Sequence, residues 1–382
     1  MKIFFNKVII IVICFSFFVC NCIVIADNVY IDAKAYGVYD RNTKQMIWGK
    51  NIQDKMPMAS TTKIMTGVLV VEYGKLDEIV TVTKNAEKTS GWQLNLKEGD
   101  KIVLKDLLYA TMLYSANDGA IALAEHIGGS VEGFCLMMNN KAKEIGAYNT
   151  NFTSPHGLDN PNHYSTVYDM AIIADYAMEK ELFRNIVKTP SYNITINGSV
   201  RTVNNTNKLL SIRENITGIK TGYTGDAMYC LVSGVRENGN DLIAVLFGAN
   251  TSNKRFQESK KMLEYTLENF IQIDLSKYIK ESIELKVDKG EVENINAYPK
   301  DIPKIYIDKK DIQHIVVNYM VLEKVSLPLN SDEVVGLATV YVKNEKICTI
   351  EYTTKENISR NSIKYYYEYI MKNYVNLLKI NY

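Results

Sequence analysis

Apolar residues change their period several times along the chain, and each change marks an element. From Val29 to about Gly49 they recur at short spacing (Tyr30, Ile31, Ala33, Ala35, Tyr36, Val38), break at Asp40-Arg41-Asn42 and resume with Met46-Ile47-Trp48. Such runs on either side of a turn-forming triplet predict a hairpin. After Pro57 the spacing lengthens: Ser60-Thr61-Thr62-Lys63-Ile64-Met65 opens a periodic stretch that reaches Tyr73 and stops at Gly74. That pattern predicts a helix beginning at a serine. Helical spacing returns at Lys105 to Leu113, Asp118 to His126, Val131 to Ile145 and, beyond a Pro- and Asn-containing loop from Ser154 to His163, at Val167 to Met178. The break between the first two of these is Tyr114-Ser115-Ala116-Asn117. Apolar runs Ile219 to Tyr223, Met228 to Val235 and Leu242 to Phe247 then predict strands, the last two joined where Asn238-Gly239 favours a tight turn. A helix from Lys254 to Phe270 closes the unit.

Strands at both ends with helices between predict an α+β domain whose sheet is assembled from the two termini and covered by helices. Beyond about Ile273 the texture changes to short β-rich runs, Ile283 to Val287, Lys304 to Ile307, Ile315 to Val321 and Val335 to Val342, separated by Asp, Lys, Asn and Gly. They predict a small β domain ending near Thr354. The expected organisation is a leader over 1–26, a first domain over 27–272, a β-rich domain over 273–355 and a tail helix over 356–382. In that tail Ile363, Tyr367, Ile370, Met371, Tyr374 and Leu378 share one helical face opposite Lys364, Glu368, Lys372 and Asn376. Such a helix suits either a membrane interface or packing on the β domain.

Composition narrows the partners. A chain of 382 residues with a formal net charge of +1 has no field to draw it onto nucleic acid. Met1-Lys2 and Lys7, an apolar core from Val8 to Val19 and a small residue at Ala26 have the layout of an export signal, with an uncleaved anchor as the competing reading. Of six cysteines, Cys14, Cys20 and Cys22 fall in this leader. Cys135, Cys230 and Cys348 are an odd, scattered set inside apolar runs, as buried free thiols would be. His126, His156, His163 and His314 lack ligand spacing, so neither metal nor cofactor is expected.

Three short motifs carry chemistry. Ser60 and Lys63 are three apart at a helix start, which puts a hydroxyl within reach of an amine that can take its proton. For that amine to be neutral near pH 7 it must be buried or lie beside another cation, and Lys220 is the candidate cation. Ser115-Ala116-Asn117 sits between two predicted helices, and Lys220-Thr221-Gly222 on a predicted strand offers a charge and a hydroxyl to a carboxylate. Each motif is weak alone; Ser191-Tyr192-Asn193 and Ser359-Arg360-Asn361 match the second one equally well. Together, in this order and in these contexts, they are a sharp signal.

With them the sequence resembles the penicillin-binding and serine β-lactamase superfamily, and within it the D-alanyl-D-alanine carboxypeptidases. The resemblance extends to Thr153-Ser154-Pro155-His156-Gly157-Leu158-Asp159, to Arg255 with Glu258-Ser259-Lys260-Lys261, and to Leu327-Pro328-Leu329 with Val335-Gly336. It implies a β-lactamase/transpeptidase-like catalytic domain and a secreted enzyme that works on peptidoglycan stem peptides and is acylated by β-lactams. Carried over by position, it makes Ser60 the nucleophile, Lys63 its base and Ser115 a proton relay. Asn117 would hold the substrate amide; Lys220, Thr221 and Arg255 would meet the terminal carboxylate; and the backbone amides of Ser60 and Tyr223, beside Gly222, would form the oxyanion hole. Tyr223 departs from relatives that carry His there. The family's amphipathic anchors favour the membrane reading of the tail.

Rival readings fare worse. His156 with Asp159 or Asp169 invites a Ser-His-Asp triad, but no Gly-x-Ser-x-Gly elbow exists. A serine β-lactamase needs a deacylating carboxylate, typically in Glu-x-x-Leu-Asn, and Glu181-Leu-Phe-Arg-Asn185 does not match. A non-catalytic peptidoglycan-binding protein is hard to reconcile with intact Ser60, Lys63 and Lys220.

Overall fold

The computed structural model describes residues 29–371, except 289, 323 and 364. The expected leader, and the tail beyond residue 371, lie outside the described residues. The chain divides at Phe270/Ile271 into two compact units.

The first unit is built on a five-stranded antiparallel sheet. Its strands are β1 (Ala35–Asp40), β2 (Gln45–Lys50), β7 (Ile216–Thr224), β8 (Met228–Glu237) and β9 (Asn240–Ala249), in the order β2-β1-β9-β8-β7. The N-terminal hairpin joins the C-terminal strands through β1 and β9, with Ala35 opposite Phe247 and Asp40 opposite Leu242. Four strands outside this sheet, β3 (Ile79–Thr81), β4 (Lys101–Val103), β5 (Ser191–Ile196) and β6 (Ser199–Asn204), form a second antiparallel sheet. The helices are α1 (Lys63–Tyr73), α2 (Lys84–Glu87), α3 (Leu104–Leu113), α4 (Asn117–Gly128), α5 (Val131–Glu144), α6 (Val167–Glu179), α7 (Glu181–Lys188) and α8 (Ser252–Asn269).

Successive residues of a strand face opposite sides of a sheet, so two neighbours on β1 locate the covering helices. Tyr36 packs edge-on against Trp48, which in turn meets Tyr265 of α8, whereas the position of a Cβ on Gly37 would lie 3.1 Å from Val167 of α6. The sheet is therefore sandwiched between α8 and α6. This explains why β9 is apolar without alternation, buried from Asp241 to Ala249. Trp48 is fully buried, a transfer worth on the order of 4–6 kcal/mol. Its indole N–H donates to Thr266 Oγ1 at 2.8 Å, so the burial leaves no orphaned donor.

The second unit is β-rich. Six strands run in the order β14 (Ile315–Val321), β16 (Val334–Val342), β17 (Glu345–Thr354), β12 (Asn294–Pro299), β11 (Ile283–Val287), β15 (Lys324–Val325), around a core that includes Leu285, Ile305, Val340, Ile350 and Tyr352. The β16–β17 turn is Lys343-Asn344, both with positive φ (49° and 67°), which suits a two-residue hairpin. Ordered pairing continues past Thr354, with Ile358 bridged to Leu329 and Arg360 to Gly290. Residues 363 and 365–371 are helical, and Ile363, Tyr367 and Ile370 are 89%, 64% and 63% exposed. Among the described residues no helix is long and apolar enough to cross a membrane. Cys135, Cys230 and Cys348 are buried free thiols, and burial raises the first two to about 11 and about 12.

Candidate active site

The expected helix start at Ser60 takes a tighter form: residues Ala59–Thr62 make a 3-10 turn and the α-helix begins at Lys63. In a 3-10 turn side chains three apart eclipse each other. Lys63 Nζ accordingly lies 2.9 Å from Ser60 Oγ. Ala59 holds a left-handed φ of 47°, a strained conformation for a residue with a side chain. The turn is pinned by a chain of hydrogen bonds. Thr153 N–H donates to His163 Nδ1 at 3.0 Å, which leaves the ring proton on Nε2 to donate to Thr62 Oγ1 at 2.8 Å, and that hydroxyl donates to Ala59 O at 2.7 Å. Gly157, with φ 87°, lies so close that a Cβ there would sit 2.0 Å from Ala59 O.

Lys63 is wholly buried at the head of α1. Besides Ser60 its amine reaches Asn117 Oδ1 at 2.7 Å and His156 O at 3.0 Å. Burial, followed by the charge of Lys220, holds its pKa well below the usual lysine range. Two of its partners are pure acceptors and the third is a hydroxyl. With two N–H groups given to the carbonyl acceptors, the third position of the amine faces Ser60 Oγ, and in the neutral form that position is a lone pair.

Ser115 is the middle residue of the α3–α4 connection, has a left-handed φ of 70° and lines the cleft. Asn117 begins α4, and its Nδ2 donates to Ser90 O at 2.9 Å, so both ends of the side chain already bind protein atoms. Lys220 is 1% exposed; its amine donates to Thr221 O at 3.0 Å, and burial and then Arg255 lower its pKa to about 7. It does not itself line the cleft, although its neighbours Thr221 and Gly222 do. Thr221 Oγ1 meets Thr206 Oγ1 at 2.7 Å. Gly222 is where β7 passes the nucleophile, since a Cβ there would be 3.0 Å from Ser60 N. Arg255 donates to Gly222 O at 3.0 Å and stacks over the rings of Tyr229 and Phe256. Tyr223 is 57% exposed and leans on Tyr229.

These groups surround one cleft of about 600 Å³, lined by Ser60, Ser115, Asn117, Thr221, Gly222, Tyr223 and Arg255. The sequence did not single out Gly91, Trp92 or Thr206, which line it too, and it named Tyr114 and Leu158 only as parts of their loops. Exposed Trp92 was the available signal, though an aromatic in a loop carries no spacing. His156 accepts Leu158 N–H at Nδ1 and is kept neutral, at about 3, by burial and then Lys63; it supports the loop and has no triad geometry with Ser60. Glu181 and Asn185 lie on α7 and do not line the cleft. Among the described residues no group of three or more metal-ligating side chains is placed to hold an ion.

A serine hydroxyl 2.9 Å from a buried lysine amine, beside a strand that carries a hydroxyl and a helix that carries a guanidinium, is the arrangement of an acyl-transferring serine hydrolase. A sequence profile of the D-alanyl-D-alanine carboxypeptidase family matches residues 23–251, and the chain belongs to that family of serine peptidases. It is 30% identical to the D-alanyl-D-alanine carboxypeptidase DacF of Bacillus subtilis over 86% of each chain. Its fold superposes on penicillin-binding protein 5 of Haemophilus influenzae with a TM-score of 0.73, at 28% identity, covering 88% of this chain and all of that one. For the carboxypeptidase DacD of Francisella tularensis the TM-score is 0.75 at 25% identity, covering 89% of this chain and 97% of that one.

Proposed function

We propose that this enzyme removes the terminal D-alanine from peptidoglycan stem peptides through an acyl-enzyme on Ser60. The observation that carries the assignment is the Ser60–Lys63 contact at 2.9 Å with Lys63 buried and its pKa held well below the usual lysine range. Ser60 Oγ attacks the carbonyl carbon of the penultimate D-alanine while its proton passes to Lys63 Nζ. The amides of Ser60 and Tyr223 receive the developing oxyanion, a contribution worth about 10²–10³ in rate for each donor in such sites. The C–N bond then breaks, and the leaving amine takes its proton by way of Ser115. Water, deprotonated by Lys63, hydrolyses the ester and restores Ser60. Thr221 and Arg255 hold the substrate carboxylate, and Lys220 acts from behind the wall by keeping Lys63 unprotonated. Asn117 orients Lys63 and offers its second Nδ2 hydrogen to the substrate. A β-lactam enters by the same attack and is trapped on Ser60.

Such a substrate lies outside the cytoplasmic membrane, which is where the leader over 1–26 would deliver the chain. The exposed apolar side chains of residues 363–371 favour the membrane surface over packing on the β domain for the start of the tail.

The test is covalent labelling of the purified protein by a fluorescent penicillin, with Ser60→Ala alongside, followed by D-alanine release from a pentapeptide. Labelling that vanishes in Ser60→Ala, together with release, is the expected result; an unlabelled, folded wild type would refute the assignment.

A further inference from the structure

The six-stranded sheet of the second unit ends at β14, which pairs with β16 on one side and, among the described residues, with no strand on the other. Its sequence, Ile315-Val-Val-Asn-Tyr-Met-Val321, holds no charge, proline or glycine, and its ladder with β16 runs without a bulge. Open edges are normally blunted by such devices, because unpaired N–H and C=O groups template the addition of another strand. The opposite edge of this sheet is blunted: β15 has two residues, one of them Lys324.

The alternation of an antiparallel ladder tells which groups of β14 are free. Leu322 N–H donates to Val335 O, so the even-numbered residues of β14 exchange their backbone bonds with β16. The N–H and C=O groups of Val317, Tyr319 and Val321 therefore point out of the sheet. The C=O of Ile315 does so as well, while its N–H turns back to Ile312 O. None of these seven outward groups has a partner among the described residues.

The side chains are arranged to receive a copy of the same strand. Val316, Asn318 and Met320 form its solvent face, with Val316 51% and Met320 70% exposed. Antiparallel pairing about a two-fold axis at Asn318 sets Val316 opposite Met320, Val317 opposite Tyr319 and Ile315 opposite Val321. In that register Val317 and Tyr319 of the two copies exchange both backbone bonds, and Val321 N–H reaches Ile315 O, so that six of the seven free groups on each copy are used. The two Asn318 residues meet on the axis as a non-hydrogen-bonded pair, with Cα atoms about 4.5 Å apart and amides that can bond each other. An axis at Val317 or Tyr319 would instead set Asn318 against Val316 or Met320. On the other face Ile315, Val317 and Tyr319 are only partly buried and open onto a hollow of about 390 Å³, lined also by Lys277 to Lys280. Opposed residues share a face, so the copy's Val317 and Tyr319 extend the apolar side of that hollow.

We propose that β14 is a self-association edge, through which two copies of this chain pair antiparallel about Asn318 and join their sheets. The contact is isologous and therefore closes at two copies, and β15 is too short to propagate it. A single strand pair is a small interface, so the dimer forms in the micromolar range.

The experiment measures the mass of the purified protein by sedimentation equilibrium. Asn318 is exposed, so Asn318→Asp and Asn318→Lys leave the fold intact, which an unchanged urea midpoint in dilute protein checks. Each variant sets like charges against each other on the axis and should raise the dimer Kd about tenfold or more. An equimolar mixture of the two should dimerise again, because Asp then faces Lys. A wild type that stays monomeric at about 100 μM, single variants that associate like the wild type, or a mixture that stays monomeric would overturn the proposal.

Discussion

Thr62→Val tests whether the nucleophile is held by the hydrogen-bond chain behind it. Valine has the shape of threonine, so the packing of this fully buried residue survives and only the hydroxyl is lost. Two groups then lose their partner: Ala59 O, which the hydroxyl bonds at 2.7 Å, and His163 Nε2–H, which bonds the hydroxyl at 2.8 Å. Each orphaned buried group costs about 1–3 kcal/mol, so a loss of about 2–6 kcal/mol in unfolding free energy is expected. The kinetic effect follows from Ala59, whose left-handed φ of 47° relaxes once its carbonyl is released. Ser60 is the next residue, and a displacement of about 1 Å at a reacting atom costs about 10²-fold in rate. Equilibrium denaturation reads the first effect and the second-order rate of penicillin acylation reads the second. Thr62→Ser, which keeps the hydroxyl, should lose about 1 kcal/mol and acylate within a few-fold of wild type. A Thr62→Val protein that loses less than 1 kcal/mol and acylates at the wild-type rate would show that the chain does not hold the turn.

Lys220→Gln removes the cation that lowers the pKa of Lys63, so the acid limb of the kcat/KM profile should move to higher pH; an unmoved limb would mean that burial alone keeps Lys63 neutral. His163 is lowered from 6.5 to about 4 by burial, and a histidine whose folded pKa lies below its unfolded value withdraws stability as pH falls through that window. Between pH 6.5 and about 4 the loss should approach about 3 kcal/mol, and urea midpoints for His163→Gln should fall less steeply than those of wild type; parallel curves would refute the assignment. Deleting 363–382 should release the protein from anionic vesicles in a flotation assay, and unchanged binding would show that the tail is not the contact.

Much of the fold was legible because its decisive features are local. Continuous apolar runs gave β8 and β9, and the 3.6 period gave α3 to α6 within two or three residues at their ends. What escaped notice lacked such a signal or was outweighed. β3 and β4 are three residues each, too short for a pattern. The β5–β6 hairpin is largely exposed, and Ser191-Tyr192-Asn193 was weighed only as a chance motif; yet Asn197-Gly198, both with positive φ (49° and 81°), announces its turn. β12 is half polar, since only one face of it meets the core.

The site divides along the same line. Ser60, Lys63, Ser115, Asn117 and Lys220-Thr221-Gly222 are contiguous motifs, and the structure brings them to one cleft. The groups that give them their chemical state come from far along the chain. Lys63 has its pKa lowered by burial and then by the charge of Lys220, 157 residues away, and its amine is held in place by the Asn117 side chain and the carbonyl of His156, 54 and 93 residues away. The turn that carries Ser60 is strapped by His163, 101 residues from Thr62. Lys220 shows the limit most plainly: the motif gave its identity, but its burial and its electrostatic effect on Lys63 come from the packing. A motif names the reacting atoms, and the packing around them decides which proton each one holds.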